Sequence, residues 1–447
     1  MDYPSTTTVE IHHGGVWRKA GELRALGSNK AVFSYDDEYI FSDTAMPVSL
    51  KLPVGLTTDT MIEELTGPEP DRRPPSFVYD LVPQGRGRRF LLDALNLADG
   101  DEVVMPLVMA GAFNPVGCIR LQSALAFYEH QAAKNPSAQS ACGFTLDDID
   151  SHSQDFLDHI ALHAMLAAGT TGVQGVAPKF LLATNAEGRW FADLALADAQ
   201  AREHWLLKLP RGKSDDDRQV LRNEAAYLRV AAACGLRVNQ PPMLVREMLF
   251  VRRFDRVLHK GRLHRLHQES LASLAGQRGF GVPHSQQRLL RALRSVVNDP
   301  ATETLEFIKR DVLNLALRNT DNHARNTAVQ RTAQGRIQLT PLFDFAPMFK
   351  DPEVVARSCH WRDAKGVVQS SWLQILESMD VPPRELRSLA AQLAEFAKTV
   401  ARLEKIAQDC GVEPEVLDQC LQSIKTQVTQ LQALAPMAGK PVRKRGL

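Results

Sequence analysis

A chain of 447 residues is too long for one ordinary hydrophobic core, so two or three domains are expected. Charged residues make up 23% and the formal net charge is +1, a soluble globular balance. It gives no argument for direct nucleic-acid binding or for an anionic membrane surface. The six cysteines form no C-x-x-C pair and read as reduced, mostly packed thiols. The N-terminus has neither the basic nor the apolar region of a signal peptide, and the longest apolar run, Val103 to Phe113, is interrupted by Pro106 and Gly111. A cytoplasmic protein is expected.

Taken in order, residues 8–60 alternate in strand fashion at Thr8-Val9-Glu10-Ile11-His12, Ala31-Val32-Phe33-Ser34-Tyr35 and Val48-Ser49-Leu50-Lys51-Leu52. A small β-rich unit is expected there. Helical patterns follow over Phe77–Leu97, interrupted by Gly85-Arg86-Gly87-Arg88-Arg89, and from Pro106 onward. Those arginines either meet phosphate or an acidic partner, or form an ordinary surface turn. Residues 134–140 are a polar linker, with a domain boundary near 140–150. A helix over 147–168 then breaks into the glycine-rich stretch Gly169 to Lys179, which runs into the strand Phe180–Thr184. Such a loop lets backbone N–H groups approach phosphates, although it lacks the Walker A order and a plain turn is the simpler reading.

The next strand, His204 to Pro210, carries Lys208 near its end, and Glu224 follows on a helix with apolar positions at Ala225, Leu228 and Ala232. A strand lysine and a later helix glutamate form the ion pair by which kinases orient the α- and β-phosphates. Met248 to Arg256 reads as a strand entering a charged turn, suited to a hinge. Beyond residue 265 the chain turns helical at Gln286–Val297, Leu305–Asn319, Pro383–Cys410 and Glu413–Leu434, and the basic end Lys440 to Arg445 is expected to be disordered.

Within this helical part stands Asn319-Thr320-Asp321-Asn322-His323-Ala324-Arg325-Asn326, followed by Leu342-Phe343-Asp344-Phe345. Asp321 and Asn326 have the spacing D-x-x-x-x-N, and a second acid arrives after a strand-like run. A kinase needs one carboxylate for the attacking hydroxyl, and an amide oxygen and a later carboxylate for Mg²⁺. The bland alternative is a polar turn after a helix. His259, His264 and His267 form H-x4-H-x2-H, but without a cysteine or a matching carboxylate set they read as a basic turn rather than a metal site.

The combination of these parts resembles the HipA family, the serine/threonine kinase toxins of bacterial toxin–antitoxin modules. The resemblance rests on Gly172 to Lys179, Lys208-Leu209-Pro210, Asn223-Glu224, Arg253-Phe254-Asp255-Arg256, His267-Gln268-Glu269, Asn319 to Asn326 and Pro341 to Asp344. Met46 to Leu50 and Leu81 to Arg86 add a likeness to the family's N-terminal domain. It implies an α+β, protein-kinase-like two-lobed fold with a β-rich N-terminal domain and a mostly helical C-terminal lobe. The implied division is an N-terminal domain over 1–145, a kinase N-lobe over 146–256, a helical lobe over 257–436 and a basic tail over 437–447.

The resemblance further implies ATP and Mg²⁺ as cofactors. Asp321 and Lys208 would be catalytic, and Asn326 and Asp344 would hold the metal. Gly175, Val176, Ala177, Lys179, Lys208 and Glu224 would serve the phosphates, and Val251, Arg253 and Phe254 the adenine. The implied acceptor is a protein hydroxyl, on an aminoacyl-tRNA synthetase in the best-known members, and the implied partner is a helix-turn-helix antitoxin. Two departures from the family stand out. Gly172 and Gln174 stand where loop serines are usual, leaving Thr170 and Thr171 as the nearest hydroxyls for autophosphorylation, and Ser270 replaces an acid. A small-molecule phosphotransferase and a degenerate kinase kept for partner binding remain as alternatives.

Overall fold

The computed structural model describes residues 4–56, 72–134, 142–151, 155, 156, 159, 160, 179–210, 214–353 and 355–438. They form two compact units. One takes Met1–Gly212, Met243–Gly281 and Ala328–Ile337, and the other takes Lys213–Pro242, Val282–Thr327 and Gln338–Leu447. The expected tail and most of the expected linker lie outside the described residues.

Among the described residues, the two larger sheets of the first unit are both antiparallel. Strands β1 (Thr6–His13), β2 (Val16–Gly27), β3 (Lys30–Tyr35) and β4 (Ile119–Leu121) pair in the order β3-β2-β1-β4. Val9, Ile11, Leu23, Ala31 and Phe33 point from it into a core shared with the fully buried helix Val104–Gly111. Gly111 is required there, because a Cβ would lie 2.2 Å from Pro83 Cγ and 2.6 Å from Leu91 Cδ1.

The second sheet has β5 (Lys179–Thr184), β6 (Trp190–Ala192), β7 (Glu203–Lys208), β8 (Met243–Val245) and β9 (Met248–Arg252) in the order β6-β5-β7-β9-β8. Phe180, Leu182, Leu207 and Phe250 fill its core with Trp190. A hairpin of Arg256–His259 with Arg262–Arg265 follows, and Gln268–Ser270 pairs with Ala328–Arg331.

The described residues of the second unit are mostly helical, with a short parallel pairing of His284–Ser285 with Cys359–His360. Its helices include Asp215–Ala233, Gln286–Arg294, Pro300–Ala316, Pro383–Val400 and Leu421–Gln432. Leu389, Leu393, Phe396 and Val400 recur at helical spacing and are buried. Asp299 caps the helix that leads to the candidate loop, accepting from Thr302 N at 3.1 Å, with Pro300 in the first turn. The described residues contain no helix long and apolar enough to cross a membrane.

Several local expectations are corrected. Val48–Leu52 is a turn closed by a Ser49–Leu52 bridge, not a strand. The arginine-rich stretch does not break its helix but opens it, as the helix Gly85–Leu95. Pro383–Cys410 is two helices, ending at Val400 and resuming at Leu403. The helix expected to run to Asn319 ends at Ala316, which frees Leu317 and Arg318 to turn the chain.

Candidate active site

Past Ala316 the chain leaves the helix through Arg318, whose φ of 55° is left-handed. Asn319 then donates its N–H to Asn314 O at 2.9 Å and its amide Nδ2 to Asn314 Oδ1 at 3.0 Å, fixing the loop to the last helical turn. Inside the loop, Asn326 N donates to His323 O at 2.9 Å and Asn326 Nδ2 donates to the Asp321 carbonyl at 2.8 Å. The D-x-x-x-x-N spacing therefore closes a compact ring, with one motif residue bonded to the backbone of the other. His323 Nε2 stands 3.5 Å from Asp321 Oδ1. Asn322 Nδ2 reaches Cys359 O at 3.2 Å, so the short parallel strand pair supports the loop from behind.

Asp321, Asn326 and Asp344 line one open pocket, together with Asn319, Asn322, Asp311 and Gln286. Asn326 is 8% exposed, and its Oδ1 accepts no hydrogen bond from any described residue. A buried amide oxygen without a donor is costly unless something arrives to use it. Asp344 has a φ of 50°, a left-handed conformation that an aspartate adopts at a cost of order 1 kcal/mol. These oxygen donors (two carboxylates and a spare amide carbonyl) suit Mg²⁺ rather than a softer metal.

Lys208, the other residue expected to be catalytic, lies in the first unit. It ends β7, is 4% exposed, and stands directly across the strand register from Lys179, the first residue of β5. Like charges placed opposite each other on neighbouring strands repel. Thr170, Thr171, Gly175, Val176 and Ala177 lie outside the described residues. Glu224 is 5% exposed on the helix Asp215–Ala233 of the second unit.

Val251 is half-buried on β9 and pairs with Leu206. The Arg253 side chain is committed elsewhere than to adenine. Its Nη1 donates to Asp193 Oδ2 at 2.9 Å, while Nε and Nη2 grip Asp255 at 3.0 and 2.8 Å. Asp193 also takes His204 Nδ1 at 2.5 Å and Asn114 Nδ2 at 2.7 Å. Asp255 accepts from Gly117 N at 2.8 Å and Arg256 Nη1 at 2.6 Å. Burial alone would raise both carboxyls, but the arginines beside them prevail and hold both below the usual carboxylate range. Arg253 is thus the hub of a buried charge network that ties residues 114–117 to the segment following β9. Phe254 is half-buried, and its carbonyl accepts from Gln330 Nε2 at 3.0 Å. Asp193 and His204 carried no motif and were not anticipated.

The His267-Gln268-Glu269 stretch also has a structural task. Glu269 is buried and accepts from Ser49 Oγ at 2.6 Å, Leu50 N at 2.8 Å and Ser273 Oγ at 2.6 Å. Ser270, at the departing position, caps the next helix and donates to Asp80 Oδ1 at 2.7 Å. Burial raises the Glu269 carboxyl to about 7, while burial lowers His267 to about 4, so the neighbouring imidazole offers no charge in return. A folded-state value above the unfolded one means stability that is full in acid and is lost as pH rises through about 7, amounting to about 3 kcal/mol. The thermal midpoint measured between about pH 5 and pH 7.5 should therefore fall more steeply with pH in the wild type than in Glu269→Gln. Parallel curves would refute this.

The antiparallel sheet in one unit and the acid-bearing loop at a helix end in the other define a protein-kinase-like fold. Residues 171–428 match the HipA-like C-terminal domain and residues 12–121 the HipA N-terminal domain, and the chain belongs to the HipA family. The HipA of Shewanella oneidensis MR-1, solved with HipB and its operator DNA, is similar over 97% of this chain and 100% of its own, with TM-score 0.60 and 19% identity. At that identity the likeness is one of fold. The putative kinase Y4mE of Sinorhizobium fredii (strain NBRC 101917 / NGR234) is 30% identical over 151 residues, 30% of this chain and 33% of its own length. This chain therefore spans about a third of that curated relative.

Proposed function

We propose that this protein is an ATP- and Mg²⁺-dependent serine/threonine protein kinase that acts as the toxin of a toxin–antitoxin module. The observation that carries this reading is the pocket holding Asp321, Asp344 and the spare Oδ1 of buried Asn326, in a chain of the HipA family. Asp321 would accept the proton of the attacking hydroxyl and orient its oxygen toward the γ-phosphate. Asn326 and Asp344 would hold Mg²⁺, which when bound neutralises phosphate oxygens. Lys208, with Lys179 across the strand, would offset charge on the nucleotide phosphates. The loop ring through Asn326 Nδ2 fixes Asp321 before substrate arrives, so little reorganisation remains for the transfer step.

The acceptor is proposed to be a Ser or Thr of a translation protein such as an aminoacyl-tRNA synthetase, and the partner a helix-turn-helix antitoxin. Purified protein should bind ATP only with Mg²⁺ and transfer the γ-phosphate from labelled ATP to one protein in a cell extract. Label appearing only on a small metabolite would favour the small-molecule phosphotransferase. No nucleotide binding at all would leave a degenerate, partner-binding module.

A further inference from the structure

Two acids do the chemistry in the proposed reading, and both leave the core through strained or irregular backbone. Asp321 follows Leu317 and the left-handed Arg318, and Asp344 is itself left-handed. Something must hold these conformations against relaxation. Tyr227 lies one helical turn beyond Glu224 on the helix Asp215–Ala233 and is 0% exposed. Its hydroxyl donates to Leu317 O at 3.0 Å, the carbonyl at the point where the chain leaves the helix for the Asp321 loop. Its ring packs against Phe345, the residue after Asp344, with centroids 5.2 Å apart at 53°. Phe345 is 1% exposed, so Asp344 cannot rotate out of its conformation without dislodging a buried ring. A second tie runs between the same two segments, since the Arg318 guanidinium lies 4.3 Å over the Phe349 ring.

We propose that Tyr227 is a positioning residue that registers the Asp321 loop and the Asp344 turn to each other, its hydroxyl serving the first and its ring the second. The inference rests on the kinase reading for its catalytic consequence, but its structural part can be measured separately. The two functions of the side chain are separable by mutation. Tyr227→Phe keeps the ring and orphans the Leu317 carbonyl, whereas Tyr227→Leu removes both contacts.

The test combines hydrogen exchange in the apo protein with steady-state kinetics on Mg²⁺–ATP. In Tyr227→Phe the hydrogen-bonded amides of Asn319 and Asn326 should exchange about tenfold faster, as expected from one lost buried hydrogen bond, while that of Met348 stays as in the wild type. Phosphate transfer should fall by a similar factor in kcat with KM for ATP unchanged. In Tyr227→Leu the Met348 amide should quicken too, and half-maximal activity should need several-fold more Mg²⁺. Unaltered exchange at Asn319 and Asn326 in Tyr227→Phe would overturn the proposal. So would a uniform acceleration that includes the helix Pro383–Val400, the mark of a merely structural residue. A wild type that transfers no phosphate, with the exchange pattern as described, would sink the kinase reading and leave the registering role of Tyr227 standing.

Discussion

Asp321→Asn should abolish phosphate transfer while leaving the fold and nucleotide binding in place. The substitution keeps the shape of the side chain and its backbone ring, because Asn326 Nδ2 bonds the Asp321 carbonyl rather than its carboxylate. What is lost is the negative charge and the ability to accept a proton from the acceptor hydroxyl. Transfer should fall by at least about 10²-fold, the low end for a positioned acid–base group. Expressed without a partner, the wild type should slow growth and Asp321→Asn should not, and arrested cells should carry a phosphorylated Ser or Thr on a translation protein. Equal toxicity of the two forms would end the kinase-toxin mechanism.

Asp344→Asn is expected to separate metal binding from folding. Asparagine tolerates the left-handed region at least as well as aspartate, so a φ of 50° gives no reason for the variant to misfold. Circular dichroism and thermal midpoint should match the wild type. Mg²⁺-dependent nucleotide binding, measured by titration calorimetry, should be lost, and turnover should drop by on the order of 10²–10³-fold, as when one preorganised electrostatic group is removed. Unchanged affinity and unchanged turnover would show that Asp344 is not a metal ligand.

The candidate loop was legible because its chemistry is local. The spacing of Asp321 and Asn326 places both in one turn-sized ring, and Asp344 returns after a run short enough to keep it nearby. The strands carrying Lys208 and Val251 were equally plain, being apolar runs bounded by charged turns. Strand β2 was not. Val16-Trp17, Ala20, Leu23 and Leu26 recur at helical intervals, and register shifts against both neighbouring strands disturb the alternation that marks a strand. Val48–Leu52 fails in the opposite sense, since its alternating pattern serves a turn whose backbone and Ser49 hydroxyl are wanted by Glu269. The Arg253 network was hidden because its acids, Asp193 and Asp255, come from separate elements and only Asp255 stands beside it in sequence. Tyr227 carried one faint signal, its place three residues past Glu224 on the same helix.

The helix that carries Glu224 and Tyr227 is held by residues far downstream. Glu413 accepts from Arg222 Nε at 2.7 Å and Gln219 Nε2 at 2.8 Å and donates its own N–H to Asn223 Oδ1 at 3.0 Å, and Cys410 O accepts from Arg229 Nε at 3.0 Å. Every motif residue singled out above, from Thr170 to Asp344, is encoded before these anchors. A gene copy interrupted shortly before codon 410 would still spell out the whole set, yet its product would lack these four ties to the helix. Intact motifs are therefore not the same as an intact helix Asp215–Ala233, because four of its anchoring hydrogen bonds are supplied by Cys410 and Glu413.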